Sequence, residues 1–105
     1  MILKPGVRIL GIKPETWAIT MAADPLWMGL GLPYGVTVSS GTEGRHTRAS
    51  KHYAGLALDL RISDLPAGTV QSVAEKLAAN LGADFTVLLE SDHIHGHYEP
   101  KDPMK

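Results

Sequence analysis

Asp92-His93-Ile94-His95-Gly96-His97-Tyr98 places three of the chain's five histidines at alternate positions behind an aspartate. In a strand, alternate side chains share a face, so His93, His95 and His97 stand together. Such a stripe is either a polar surface or part of a metal site. Upstream, His52 and Asp59 lie seven residues apart in HYAGLALD. Zinc at a catalytic centre usually takes three ligands from histidines and carboxylates and keeps a fourth position for water. The chain has no cysteine. Disulfides, thiolate zinc sites, iron–sulfur clusters and thiol nucleophiles are therefore excluded, and any metal must be held by His, Asp and Glu. If the strand with the histidine stripe lies beside the strand with Asp59, one of its histidines reaches the same point. Zinc held there lowers the pKa of a bound water to about 7, and a neighbouring carboxylate can take its proton.

These side chains need elements to carry them. Residues 55–62, GLALDLRI, alternate Leu56, Leu58, Leu60 and Ile62 with Gly55, Ala57, Asp59 and Arg61. That pattern predicts a strand with a leucine face towards the core. On the other face, the small Gly55 and Ala57 are expected to leave open space beside Asp59. Residues 36–40 are β-branched and alternating, a further strand. Residues 41–51 are polar and glycine-punctuated, a loop. Val70, Val73, Leu77 and Leu81 fall at helical spacing, which predicts a helix over 69–81 with Thr69 near the N-cap and Gly82 at the C-cap. Residues 84–90 and 93–99 read as two strands of a hairpin closed by Ser91-Asp92. Near the N-terminus, Pro14 and Glu15 suit the start of a short helix that Asp24-Pro25 would end, with one further turn in PLWMGLG. The order α-β-β-α-β-β predicts an α+β domain: an antiparallel sheet of about four strands, with two or three helices packed on one side.

At 105 residues the chain is one domain. Its 44% hydrophobic and 20% charged residues are ordinary for a soluble globular protein. A net charge of −1 with scattered Lys and Arg argues against nucleic acid as a partner. No apolar run approaches membrane-spanning length, and MILKPGVRIL is too short and broken for a signal peptide. The expectation is a monomer, cytoplasmic when synthesised, whose site of action would follow release. GTEGR lacks the Lys-Ser/Thr of a phosphate-binding loop.

SKHYAGLALDL fits the pattern S-x-H-x-x-G-x-A-x-D, and DHIH fits a later D-H-x-H. Together they resemble the M15-type zinc D,D- and L,D-peptidases. That group includes D-Ala-D-Ala carboxypeptidases, vancomycin-resistance dipeptidases and phage endolysins that cut L-alanyl-D-glutamate in peptidoglycan. The signature also resembles that of the Hedgehog signalling domain, which holds zinc without established peptidase work. The matching region runs from about Val36 to Tyr98. The resemblance implies a Hedgehog/D,D-peptidase-like fold, Zn2+ held by His52, Asp59 and His95, and a peptidoglycan stem peptide or muropeptide as substrate. It implies Asp92 as general base, with Glu90 as a rival, and His93 near the oxyanion or substrate. Arg45 or Arg48 would polarise the carbonyl or hold the substrate, and Ser50 would hydrogen-bond within the site. Either a D,D-carboxypeptidase or an L-Ala-D-Glu endopeptidase fits. The alternative is a zinc-stabilised, inactive binding or structural module, Hedgehog-like or part of a phage tail.

Plainer roles are expected for the rest. His97 is a surface residue or a neighbour of a ligand. His46 is solvated in its loop, and Arg61 is a surface strand residue. Trp17, Trp27 and the methionines belong to the core.

Overall fold

The protein is described here by a computed structural model, covering residues 1–43, 52 and 54–101. The elements in chain order are β1 (Ile2–Leu3), a 3-10 turn (Pro14–Trp17), α1 (Ala18–Met28), β2 (Thr37–Ser40), β3 (Ala57–Arg61), α2 (Val70–Leu81), β4 (Phe85–Leu89) and β5 (His93–Tyr98). They form an α+β fold with one five-stranded sheet in the order β1-β2-β3-β5-β4. The sheet is mixed, not purely antiparallel as expected, because β1 runs parallel to β2. Two residues are too few to show an alternation. This strand is held by backbone bonds, from the Ile2 N–H to the Val36 carbonyl (2.8 Å) and from the Lys4 N–H to the Val38 carbonyl (2.9 Å).

The two helices close one face of the sheet. Ile19, Ala23 and Trp27 recur every fourth residue along α1, and Val73, Ala74 and Leu77 line the inner side of α2. All six join Val36, Val38, Leu58, Leu60 and Ile94 in one buried cluster. Truncating a buried leucine such as Leu58 typically costs about 2–5 kcal/mol, so the cluster holds β3 firmly in the middle of the sheet. Gly96 of β5 faces Ile19 of α1. A Cβ there would stand 3.2 Å from Ile19 Cγ2.

Three expectations change. Asp24-Pro25 does not end the first helix, because Pro25 lies inside α1. It sits on the exposed side, where the missing N–H and the ring face water. Asp24 instead accepts the Val36 N–H at 2.9 Å, tying α1 to the approach of β2. Met1, Met21 and Met28 are exposed rather than core, while Trp27 is fully buried and Trp17 packs partly buried against the cluster. Gly55 does not leave open space beside Asp59. It is buried with φ +74°, and a Cβ would run into the Gly11 carbonyl oxygen. Its own carbonyl accepts from the Lys13 N–H (2.9 Å) and the Thr16 hydroxyl (2.7 Å). The Gly55 N–H closes a turn onto the His52 carbonyl at 3.0 Å. The N-terminal segment thus clamps the turn that carries His52. Among the described residues no helix is long and apolar enough to cross a membrane.

Gly55→Ala should lower stability by at least about 2 kcal/mol, since it adds both left-handed strain and a backbone clash. Chemical denaturation measures this directly. A variant as stable as the wild type would contradict the close approach of Gly55 to Gly11.

Candidate metal centre

The sheet's outer face is built by register. β3 and β5 pair antiparallel with Ala57 opposite His97, Asp59 opposite His95 and Arg61 opposite His93. Opposed side chains on one face lie roughly 5 Å apart at Cβ, so the pairing alone brings Asp59 to the histidine stripe. His52 enters from the turn before β3. Its Nε2 lies 3.2 Å from Asp59 Oδ1, and His95 Nδ1 lies 3.0 Å from the same oxygen. Each of the three residues offers one ligand atom within 4.8 Å of the others. Two ligands each about 2.0–2.1 Å from a tetrahedral zinc stand roughly 3.3 Å apart, which the two spacings to Asp59 match.

Hydrogen bonds decide where the protons are. His52 Nδ1 is 2.8 Å from the Gly41 carbonyl oxygen, which can only accept. The Nδ1–H therefore donates, and in the neutral ring Nε2 turns a lone pair towards Asp59. The Gly41 turn is itself fixed, because Glu43 Oε1 accepts the N–H groups of Gly41 (2.8 Å) and Arg8 (2.9 Å). Burial alone would raise the pKa of Glu43. These N–H donors outweigh it and lower it.

On the other side, His95 Nε2 lies 2.8 Å from His97 Nδ1, and His97 Nε2 lies 3.1 Å from Glu99 Oε2. A carboxylate accepts, so His97 donates to Glu99 and in turn accepts from His95. That leaves the lone pair of His95 Nδ1 also facing Asp59. Three electron-pair donors thus converge with no proton between them, an arrangement that calls for a cation. Without a metal, a proton fills the role at His52. Burial would lower its pKa, but the hydrogen bond and charge of Asp59 outweigh this and raise it above the ordinary histidine value. Burial would raise the pKa of Asp59, yet the imidazoles facing it, that of protonated His52 above all, hold it well below the usual carboxylate range.

Asp92 and His93 flank this cluster. Asp92 Oδ1 accepts from His93 Nδ1–H at 2.6 Å, and His93 Nε2 then faces Asp59 Oδ1 at 3.7 Å. The Asp92 side chain is 85% exposed, so its carboxylate meets the cluster through the His93 ring. A cleft of about 460 Å³ opens here, lined by Asp59, Asp92 and His93 together with Lys4, Ser39, Ser40, Arg61 and Ser63. Glu90, the rival base, is exposed and is not among its lining residues. Arg61, expected as a plain surface residue, is half-buried and part of the wall. His97, left between surface and ligand neighbour, contacts His95 directly. Glu99 continues the alternate stripe 93-95-97, so its place on the same face was readable from parity. Arg45, Arg48, His46 and Ser50 lie outside the described residues.

No protein-family model matches the chain, and no curated protein matches it.

With metal removed by a chelator, the His52–Asp59 pair should stabilise the fold fully between about pH 4 and 6.5, the ordinary carboxylate and histidine values. The contribution is lost as pH rises through the elevated His52 pKa, and also as pH falls through the depressed Asp59 pKa. The gap in melting temperature between wild type and His52→Gln should therefore shrink from pH 5.5 to pH 9. A gap that widens would reverse the assignment. His97→Ala should weaken zinc binding about tenfold to a hundredfold, as loss of a ligand's hydrogen-bond partner does. Competition with a chromophoric chelator reads this, and unchanged affinity would exclude the His97 contact from the site.

Proposed function

We propose that the chain is a zinc-dependent peptidase of the D,D-/L,D-peptidase type acting on peptidoglycan stem peptides, as a D,D-carboxypeptidase or an L-Ala-D-Glu endopeptidase. The observation that carries this is the convergence of His52, Asp59 and His95 beside an acid–base pair and an open cleft. The motifs in which these five residues stand are those that resemble the peptidase group. Zinc at this point would supply Lewis acidity and make water a nucleophile near neutral pH.

The chain's own residues would then act as follows. His52 Nε2, Asp59 and His95 Nδ1 hold the ion, with Gly41 and His97 fixing the two rings. Asp92, the expected base, works through His93 in this geometry. Its carboxylate holds the Nδ1–H, leaving Nε2 as the acceptor that faces the cluster. That nitrogen takes the proton of the attacking water as oxygen adds to the scissile carbonyl carbon. It returns the proton to the amide nitrogen as the C–N bond breaks, so the amine leaves neutral. Histidine suits both transfers because its ordinary pKa lies near neutrality. His93, first expected near the oxyanion, acts in this scheme as the base; zinc, when bound, would supply the positive charge that an oxyanion needs.

Purified sacculi incubated with the zinc-loaded protein should yield new peptide termini by mass spectrometry, and their identity names the bond cut. Asp92→Ala should retain one zinc and lose at least about a hundredfold in cleavage rate, the scale of general acid–base catalysis. Glu90→Ala should cleave at the wild-type rate. Undiminished cleavage by Asp92→Ala would remove it from the mechanism. A zinc-loaded wild type that leaves sacculi intact would favour the inactive binding module instead.

A further inference from the structure

The cleft beside the metal centre carries two cations that the chemistry above does not use. Arg61 stands on β3, two residues beyond Asp59 and on the same face, directly opposite His93. Lys4 follows β1, at the far side of β2 from β3. Both line the cleft, with the hydroxyls of Ser39, Ser40 and Ser63. Among the described residues, neither Lys4 nor Arg61 is in an ion pair. The carboxylates of the same cleft are committed. Asp59 faces His52 and His95, and Asp92 is bonded to His93. The cleft therefore runs across the sheet from the acid–base pair at β5, past Arg61 directly beside it on β3, to the serines of β2 and Lys4 beyond β1.

We infer that Arg61, supported by Lys4, binds a carboxylate of the peptide substrate and so sets the enzyme's preference for acidic stem peptides. This rests on the peptidase reading and specifies which end of the substrate lies where. A guanidinium on a strand presents a planar fork that matches a carboxylate with two parallel N–H donors. Of the three serines, Ser39 already donates to the Asp59 backbone carbonyl at 3.3 Å and Ser40 to the Glu43 carboxylate, which leaves the Ser63 hydroxyl to donate to a bound anion. Two residues along a strand span roughly 7 Å, about the length of two residues of extended peptide. The bound carboxylate would lie that far from the bond presented to the metal. Stem peptides with a free C-terminus or a D-glutamyl carboxyl meet this requirement. Neutral peptides of the same length do not. The assignment also explains why a cation stands near the metal without neutralising Asp59: its partner arrives with the substrate.

The test compares a synthetic stem pentapeptide with a twin in which every carboxyl is amidated. Both are titrated into zinc-loaded wild type, Arg61→Gln, Arg61→Lys and Lys4→Gln while backbone amide shifts are followed by NMR. Wild type should bind the acid at least about tenfold more tightly than the amide, the scale of one charge-assisted contact. Shifts should centre on residues 39–40 and 61–63. Arg61→Gln should bind acid and amide equally, Arg61→Lys should restore part of the preference, and Lys4→Gln should lose less than Arg61→Gln. The Arg61 backbone carbonyl accepts the Trp27 indole N–H at 3.3 Å. These side-chain changes leave that anchor in place, and an unchanged melting temperature checks it. Equal binding of acid and amide by wild type, or an undiminished preference in Arg61→Gln, would overturn the inference. Mass spectrometry of the peptide recovered from each titration reads cleavage separately. A preference without cleavage would count against the peptidase and not against the carboxylate site.

Discussion

Three lone pairs that face one another without a proton are the constraint around which this molecule is organised. Asp59 Oδ1 is flanked by His52 Nε2 at 3.2 Å and His95 Nδ1 at 3.0 Å. Each imidazole is turned that way by a bond at its other nitrogen, to the Gly41 carbonyl for His52 and to His97 for His95. Electron-rich atoms at such distances repel unless a cation joins them. A proton meets the need for one pair only. A single divalent cation held by all three would meet it for the whole set. Burial sharpens the demand, because uncompensated charge is costlier away from water.

The fold reads as the means of holding that arrangement. β3 is pinned by Leu58 and Leu60 in a shared core with Ile94 of β5. That packing fixes the register that puts Asp59 opposite His95. A slip by one residue would turn the histidines to the helical face. His52 comes from outside the sheet, and its place depends on two backbone clamps. One is the Gly55 carbonyl, held by Lys13 and Thr16. The other is the Gly41 turn, held by Glu43. The N-terminal segment thus works at a distance, through main-chain contacts, on the electrostatics of the site.

Much of this was legible in the residues, for local reasons. β3, α2, β4 and β5 announce themselves by alternation or by a helical stripe with turn chemistry at the ends, and the structure keeps them within a residue or two. The three histidines share a face by parity alone, and the β3–β5 pairing brings Asp59 onto it. What stayed hidden is non-local. β1 is a strand only because β2 offers its backbone to pair with. Pro25 ends a helix by propensity, yet sits inside α1 because its exposed side needs no hydrogen bond there. Gly55 looked like vacant space and is instead a point where two backbones nearly touch. The chain from His95 through His97 to Glu99 was foreshadowed by the stripe. Its direction of donation becomes evident only once the distances are known.

Diffraction from zinc-soaked crystals, recorded on both sides of the zinc absorption edge, addresses the central claim most directly. One full-occupancy peak about 2.0–2.1 Å from His52 Nε2, Asp59 Oδ1 and His95 Nδ1, with a fourth position open to the cleft, is the predicted result. Zinc bound through other residues, or a cluster that stays closed around a proton at saturating zinc, would contradict it.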